Sequence, residues 1–278
     1  MPRMKQNVGV LGLGIIGSRV VENLRTAGHE VFVWSRSARA VPNFLASPRE
    51  VAEAAGIIQI FVRDGAALLE AVENMKPALQ AGHLVMNHAT VSKKATLQAA
   101  ALVEETGAAF LDAPFTGSKM AAQNGKLAYY VGGSDLMLER ARSVLEASSA
   151  KILPLGGVGD AMVLKIVTNL VSAVIVEALA EAAAITRAND ISLERLHEAL
   201  ESNANYSTLI GMKLPAIMNG DFEPHFSLRN MLKDADFARE LAAEANLASP
   251  AIDCTAEAMR RGVEAGQGDM DFSIIGRR

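Results

Sequence analysis

Gly12-Leu13-Gly14-Ile15-Ile16-Gly17 indicates how the first half of this 278-residue chain folds. It follows an apolar, β-branched run from Asn7 to Leu11 and opens a helical pattern that ends at Gly28, after which Glu30 to Trp34 is predicted to form a second strand. Strand, Gly-x-Gly-x-x-Gly, helix and strand in this order are typical of a dinucleotide-binding unit. The first glycine permits a tight turn, the second lets the backbone approach a pyrophosphate, and the third allows helix and strand to pack closely. We therefore expect the whole stretch and the helix N-terminus to hold cofactor phosphates.

The end of the second predicted strand indicates which dinucleotide binds. NAD-binding chains place an acidic residue about twenty residues after the glycines, where it bonds the ribose hydroxyls. Here the strand ends in Trp34-Ser35-Arg36-Ser37, without an acid. A guanidinium with neighbouring hydroxyls suits a 2′-phosphate, because its fork matches phosphate oxygens. Ser35, Arg36 and Ser37 thus predict NADP(H); a solvated loop arginine is the alternative, and it fits Arg39 better than Arg36.

Strands and helices alternate as far as Leu155, and only helical patterns follow Gly159. Further strands are predicted at 57–62, 83–87, 109–112, 127–131 and 151–155, and helices at 65–80, 92–106 and 135–147. The alternation predicts a mostly parallel, doubly wound sheet of the Rossmann type, followed by an all-α C-terminal domain. We expect an N-terminal domain at 1–158 and a helical domain at 159–278, joined by a long interdomain helix.

That long helix is predicted between Gly156 and Asp190, because neither Pro nor Gly interrupts the chain after Gly159. About thirty residues is far longer than an ordinary globular helix. Lys165, Asn169 and Ser172 recur at i, i+4 and i+7 and form one polar stripe on a helix that is expected to be otherwise buried. A lysine in that position either extends its ammonium group to water or has a chemical role.

Composition excludes several classes of function. The formal net charge is −4 and no basic block is present, so nothing indicates nucleic acid binding. Charged residues interrupt the apolar run of the long helix, so no uncharged membrane span of the required length remains. The single Cys254 excludes an intramolecular disulfide and suits a reducing compartment, with the cytoplasm as the default. No histidine has ligand-like spacing to an acid, so no metal is expected.

Three further stretches contain polar residues where a ligand could bind. Thr90 follows one predicted parallel strand, and Val62 and Arg63 lie at the end of another; we expect all three to contact the cofactor. Thr116-Gly117-Ser118 also follows a strand and offers a hydroxyl and glycine amides suited to a carboxylate. Lys233 and Asp234 adjoin each other in a helical pattern. A histidine at a strand end, such as His88, is more often structural than a general base.

Together these motifs resemble the β-hydroxyacid dehydrogenase family, which includes 3-hydroxyisobutyrate dehydrogenase, tartronate semialdehyde reductase and the glyoxylate/succinic semialdehyde reductases. The resemblance covers nearly the whole chain. Its motifs are Gly12 to Gly17, Asp112-Ala113-Pro114-x-Thr116-Gly117 with Gly125 and Leu127, Gly159 followed by Lys165 and Asn169, and Lys233-Asp234. The family usually has Ser-Gly-Gly in the substrate loop; the version here, Gly117-Ser118-Lys119, resembles that of the glyoxylate/succinic semialdehyde reductases. Asn87-His88-Ala89-Thr90 replaces the common Asp-x-Ser-Thr, and Arg63 replaces a usual Pro or Ser.

The resemblance implies a role for each matching residue. Lys165 would be the catalytic acid, with Asn169 assisting it. Thr116, Gly117 and Ser118 would hold the substrate carboxylate, and Lys233, with Asp234 beside it, would lie near the cofactor and substrate.

The predicted function is NADPH-dependent reduction of a small aldehyde acid to a β-hydroxyacid, in a homodimer or homotetramer. Imine reductases of the same architecture are one alternative, although they generally lack the lysine. A catalytically silent NADP-binding scaffold is the other.

Overall fold

A computed structural model of the chain describes residues 5–277. The chain forms two compact units, of which one ends at Lys165 and the other begins at Ile166. This division lies inside a continuous helix, so the boundary predicted between residues 158 and 159 stays a prediction.

The first unit contains a five-stranded sheet in which every pair of neighbours is parallel. Its strands are β1 (Asn7–Leu11), β2 (Glu30–Trp34), β3 (Ile57–Ile60), β4 (Leu84–Asn87) and β5 (Ala109–Asp112), in the order β2-β1-β3-β4-β5. In this order β1 and β3 are neighbours inside the sheet, and the glycine loop begins at the carboxyl end of β1. The predicted Rossmann architecture is confirmed.

The sequence pattern predicts that the strands after β5 extend the first sheet. They form a separate sheet instead. They are β6 (Phe115–Thr116), β7 (Leu127–Val131) and β8 (Ser149–Pro154). β6 pairs antiparallel with β7, and β7 pairs parallel with β8. The antiparallel direction has a physical reason: a parallel crossover takes a dozen or more residues with a helix, and the helix between β6 and β7 has only five.

Six helices accompany these strands in the described part of the first unit. They are α1 (Ile15–Thr26), α2 (Pro48–Ala54), α3 (Gly65–Met75), α4 (Lys93–Glu104), α5 (Lys119–Gln123) and α6 (Asp135–Glu146). The Ser47 hydroxyl accepts from the Glu50 N–H at the start of α2, and Pro48 lies in the first turn, where a missing N–H costs nothing. Valines of β1 and β2 form a core with the buried faces of α1 and α6.

The second unit is helical, which confirms the predicted class. It contains most of α7 (Asp160–Ala188), then α8 (Leu193–Glu201), α9 (Thr208–Asn219), α10 (Leu228–Glu244) and α11 (Pro250–Gly262). Asp271 fixes the start of α10, because its carboxylate accepts from the backbone N–H groups of His225 and Phe226. Lys213 donates to the same carboxylate at 2.7 Å, and both side chains of this ion pair are buried.

Helix α7 has 29 residues, close to the predicted length. The expectation that it is a buried rod is wrong, because Leu164, Val167 and Val171 are 40%, 41% and 50% exposed. By length and composition alone the helix could cross a membrane. Lys165 and Glu177 are nevertheless buried in the protein. An apolar sequence on every side of a helix does not reveal which side is covered.

Candidate active site

The three glycines of the first loop meet three different steric demands. Gly12 has φ +100° and donates its N–H to the carbonyl of Trp34 at 2.8 Å, and a Cβ there would overlap the carbonyl oxygen of Phe61. A Cβ on Gly17 would overlap the carbonyl oxygen of Gly12. Gly14 has nothing within 4 Å of where its Cβ would stand, so a phosphate can approach the backbone there. The loop therefore has the geometry that the sequence predicts.

The start of α1 fits a dinucleotide. Gly14 is the N-cap residue, and no side chain among the described residues caps the helix. Its first N–H groups and the positive end of its dipole suit a pyrophosphate. Leu13 is buried in the core, whereas Ile15 is 62% exposed beside Ile16. These residues can hold NAD(P).

The turn after β2 leaves Arg36 exposed to solvent. The Ser35 hydroxyl donates to the carbonyl of Ser37 at 2.7 Å, so this serine shapes the turn that presents the arginine.

Asp64 is a neighbour of this turn that the sequence analysis missed. Its carboxylate caps α3 by accepting from the Ala67 N–H at 2.9 Å, and Arg63 Nε lies 3.1 Å from its Oδ2. The Ala67 N–H holds the pKa of the Asp64 carboxyl below its ordinary value, and the charges of Arg63 and Arg36 lower it further. The charges of Arg36 and Arg63 thus act on the same carboxyl group, although the two arginines follow different strands.

His88, at the end of β4, is a buried structural residue. Its ring stacks on Phe61 with the centroids 4.5 Å apart, and its Nδ1 lies 2.6 Å from the carbonyl oxygen of Ala113. Burial lowers the pKa of the His88 imidazole to about 4, so the ring is neutral at physiological pH. Phe61 is also a close neighbour of the glycine loop, since its backbone or Cβ lies within 4 Å of where a Cβ on Gly12 or Gly17 would stand. Thr90, two residues on, is half-buried.

The expected carboxylate-binding loop connects β6 to α5. Thr116 ends β6, Gly117 has φ +137°, and the Ser118 hydroxyl accepts from the Ala121 N–H at 3.2 Å. Ser118 is thus the N-cap of a short helix, a role that the sequence analysis did not assign to it. Its hydroxyl hydrogen can still be donated to a ligand.

Lys165 lies in the second turn of α7 and is only 8% exposed. Asn169 follows it at i+4, so the two side chains project from the same face of this helix. The predicted polar stripe continues to Ser172, whose hydroxyl donates to the Thr168 carbonyl of its own helix at 3.1 Å.

Asp112, at the end of β5, holds the beginning of α7. Its Oδ2 accepts from the N–H of Met162 at 2.8 Å and from that of Gly159 at 3.2 Å. Its side chain is completely buried, and its Oδ1 has no hydrogen-bond partner among the residues that the structure describes. Burial raises the pKa of the Asp112 carboxyl to about 7, and the charge of Asp160 also raises it, while the two N–H groups lower it.

In the second unit, Asn169, Lys233 and Asp234 form one cluster. The Asn169 Nδ2 donates to Asp234 Oδ2 at 2.6 Å, and Lys233 Nζ lies 2.9 Å from Asp234 Oδ1. Lys233 Nζ also lies 5.0 Å from the centroid of the Phe237 ring. Asp234 is completely buried, so it holds the amide of Asn169 and the ammonium of Lys233 in place. Local sequence patterns could not predict the contact between Asn169 and Asp234, because 65 residues separate them.

A metal site is not part of this arrangement. Within residues 5–277, no three His, Cys, Asp or Glu side chains come together in a way that could hold a metal ion.

Comparison with known families matches almost the whole chain. Residues 7–157 match the model described as the NAD binding domain of 6-phosphogluconate dehydrogenase. Residues 159–277 match the one described as the NAD-binding domain of NADP-dependent 3-hydroxyisobutyrate dehydrogenase.

The curated relatives include proteins of two kinds. The cytokine-like nuclear factor N-PAC of Homo sapiens is 27% identical over 98% of the chain. The chain spans about half the length of these relatives, 51% in the human protein. The chloroplastic glyoxylate/succinic semialdehyde reductase 2 of Arabidopsis thaliana is 25% identical over 97% of the chain and 78% of its own length.

Solved structures show the same fold over the full length. A Mycobacterium tuberculosis 3-hydroxyisobutyrate dehydrogenase with L-serine is 27% identical, with a TM-score of 0.92 over 98% of both chains. An imine reductase from Myxococcus stipitatus is 21% identical over 99% of both chains, with a TM-score of 0.63, and shares the fold alone.

Proposed function

Because the chain belongs to the β-hydroxyacid dehydrogenase family of NAD(P)-dependent oxidoreductases, we propose that it reduces a small aldehyde acid with NADPH and oxidises the corresponding β-hydroxyacid in reverse. The observation that carries the proposal is the pair of polar residues on α7. Lys165 is almost completely buried, and the amide of Asn169 is held by a buried carboxylate. A lysine is rarely buried to this extent without a partner or a chemical role.

The reaction divides between the cofactor and the chain. The nicotinamide supplies or accepts hydride. Lys165 protonates the oxygen of the carbonyl group as that oxygen gains negative charge, and in the oxidative direction a neutral Lys165 takes the hydroxyl proton. Asn169, fixed by Asp234, assists Lys165 from the next turn of the helix. Lys233, fixed by the same carboxylate, contributes a positive charge near the substrate and cofactor.

The loop after β6 binds the negatively charged carboxylate of the substrate. The Thr116 hydroxyl and the backbone N–H groups of Gly117 and Ser118 can donate to a carboxylate, and Gly117 lacks a side chain that would block it. Cofactor choice falls to the turn after β2, where Arg36 and its neighbouring serines pair with a 2′-phosphate. Val62, Arg63 and Thr90 line the remaining cofactor contacts.

Assembly and location complete the proposal. The chain forms a homodimer or homotetramer through its helical half, and it acts in the cytoplasm. Exposed apolar side chains such as Val167, Val171 and Ile185 on α7 support an assembly through helices. Sedimentation of the purified protein at micromolar concentration tests it, and a monomer would contradict it.

The test of function is a screen of NADPH oxidation with glyoxylate, succinic semialdehyde, tartronate semialdehyde, methylmalonate semialdehyde and a few cyclic imines. We expect turnover of at least one aldehyde acid and none of the imines. Imine turnover alone would assign the chain to the chemistry named for the Myxococcus stipitatus protein. Tight NADPH binding without any turnover would favour the second candidate, a cofactor-binding scaffold, for which the similarity to N-PAC proteins is the supporting observation.

A further inference from the structure

We propose that Asp112 is a positioning residue for this reaction: its carboxylate anchors the first turn of α7 and so fixes where Lys165 stands. The inference rests on the proposed role of Lys165. It concerns a residue whose side chain has no part in binding substrate or cofactor as described above.

The anchor is short and direct. One oxygen, Oδ2, accepts both from Gly159, which precedes the helix, and from Met162 in its first turn. Met162 and Lys165 are three residues apart, so the anchored backbone lies directly beneath the lysine on the helix. β5 in turn is held firmly, because the backbone of Asp112 exchanges two hydrogen bonds with Gly132, at 3.0 and 2.7 Å.

The helix needs this anchor because its own sequence offers no cap from Gly159. Glycine has no side chain to accept from the first N–H groups, and Gly159 has φ +94°, which favours glycine. Asp160 accepts from the N–H of Gly157, on the loop before the helix, at 2.8 Å. Asp112, 50 residues before Met162, thus does for α7 what an N-cap residue does elsewhere, because its oxygen accepts from N–H groups that the helix itself leaves unbonded.

A displacement of the lysine would be costly for catalysis. A shift of about 1 Å in a catalytic group can lower the rate about a hundredfold. Loss of the anchor should therefore reduce kcat and leave NADPH binding intact, because the glycine loop and Arg36 hold the cofactor without Asp112.

Two substitutions separate anchoring from other roles. Asp112→Asn keeps a carbonyl oxygen that can accept both N–H bonds, whereas Asp112→Ala removes the acceptor. We expect Asp112→Ala to lose at least tenfold in kcat with the Kd for NADPH within about twofold of the wild-type value, and Asp112→Asn to lose no more than about threefold. Ser207→Ala is the matched control, because it removes the cap of α9, where the hydroxyl accepts from the Ile210 N–H, and should leave kcat unchanged.

Combining each substitution with Lys165→Ala completes the test. If Asp112 acts through Lys165, Asp112→Ala should cause no further loss of kcat once the lysine is gone. A further tenfold loss in that background would overturn the proposal and leave the proposed function standing. An Asp112→Asn enzyme as slow as Lys165→Ala would also overturn it, and this comparison decides the matter if Asp112→Ala does not fold. A fully active Lys165→Ala enzyme would refute the proposed function and the role of Asp112 together.

Discussion

Lys165 combines near-complete burial with a position one helical turn from Asn169, and its chemistry can be separated from its charge. Lys165→Ala should lower kcat by about 10²–10⁴-fold, the usual contribution of a positioned acid, with little change in the Kd for NADPH. Lys165→Arg should restore little, because a guanidinium stays protonated and cannot deliver the proton. Steady-state kinetics with the best substrate of the screen and a cofactor titration measure both effects. A Lys165→Ala enzyme with nearly full kcat would show that the proton comes from elsewhere.

Arg36 tests the choice of cofactor at the same scale. A charge-assisted contact to phosphate is worth about 1.5–3 kcal/mol, which is tenfold or more in affinity. We therefore expect the wild-type enzyme to prefer NADPH over NADH by at least that factor in kcat/KM, and Arg36→Ala to lose most of the preference. Arg39→Ala, farther along the same exposed loop, is the control and should retain it. Equal kcat/KM for both cofactors in the wild-type enzyme would contradict the assignment.

Single residues also show where sequence reasoning stops. The glycine loop, Arg36 and Lys165 could be chosen from spacing alone, because their neighbours along the chain define their setting. Asp234 and Asp64 interact with residues that are distant in the sequence. Asp234 binds the amide of Asn169, 65 residues away, and the charge of Arg36 lowers the pKa of Asp64. No periodicity or local motif carries that information.

For helices and strands, the sequence predicts that an element exists better than it predicts which side of that element is buried. The length of α7 follows from the absence of Pro and Gly between Gly159 and Asp190. The exposed side of α7 could not be predicted, because its apolar residues surround the helix. The separate sheet of β6, β7 and β8 was also missed, since strand direction depends on a connection whose short helix has no clear pattern in sequence.

The proposed role of the loop between β6 and α5 predicts a preference for negatively charged substrates. If its hydroxyls and amides bind a carboxylate, aldehyde acids should be turned over far better than uncharged aldehydes of equal length, because the uncharged ligand leaves the loop donors unmatched. Thr116→Val, which keeps the shape and removes the hydroxyl, should raise KM for the acid about tenfold and leave KM for the uncharged aldehyde unchanged. Kinetics on matched pairs of aldehydes measure both. Equal turnover of the two members of a pair would assign this loop another role.

For the whole molecule, Asp112 links stability to pH. The pKa of its carboxyl is raised from 3.8 to about 7 in the folded protein. Its contribution is therefore complete below pH 4 and is lost as the pH rises through 7, by at most about 3 kcal/mol between pH 5 and pH 8. We expect the wild-type Tm to fall by several degrees over this interval relative to that of Asp112→Asn, measured by calorimetry.

The comparison with Asp112→Asn is necessary because His88 acts in the opposite sense. Burial lowers the pKa of His88 to about 4, so its contribution is present above pH 6.5 and is lost as the pH falls through 4. Both proteins retain His88, and its effect cancels in the difference. Identical pH profiles of Tm would show that Asp112 is ionised over the whole range.

The hydrogen bond between Gly12 and Trp34 has a spectroscopic consequence. Trp34 is the only tryptophan of the sequence and is the last residue of β2. Its carbonyl oxygen accepts a hydrogen bond from Gly12, the first glycine of the loop after β1. Light that excites tryptophan selectively is therefore absorbed at one point of the protein, beside the turn that carries Arg36. The emission of tryptophan overlaps the absorption of reduced nicotinamide, so energy transfer should quench the protein signal and brighten that of the coenzyme as NADPH binds. The unlabelled chain thus contains its own optical reporter for the affinities on which these experiments depend.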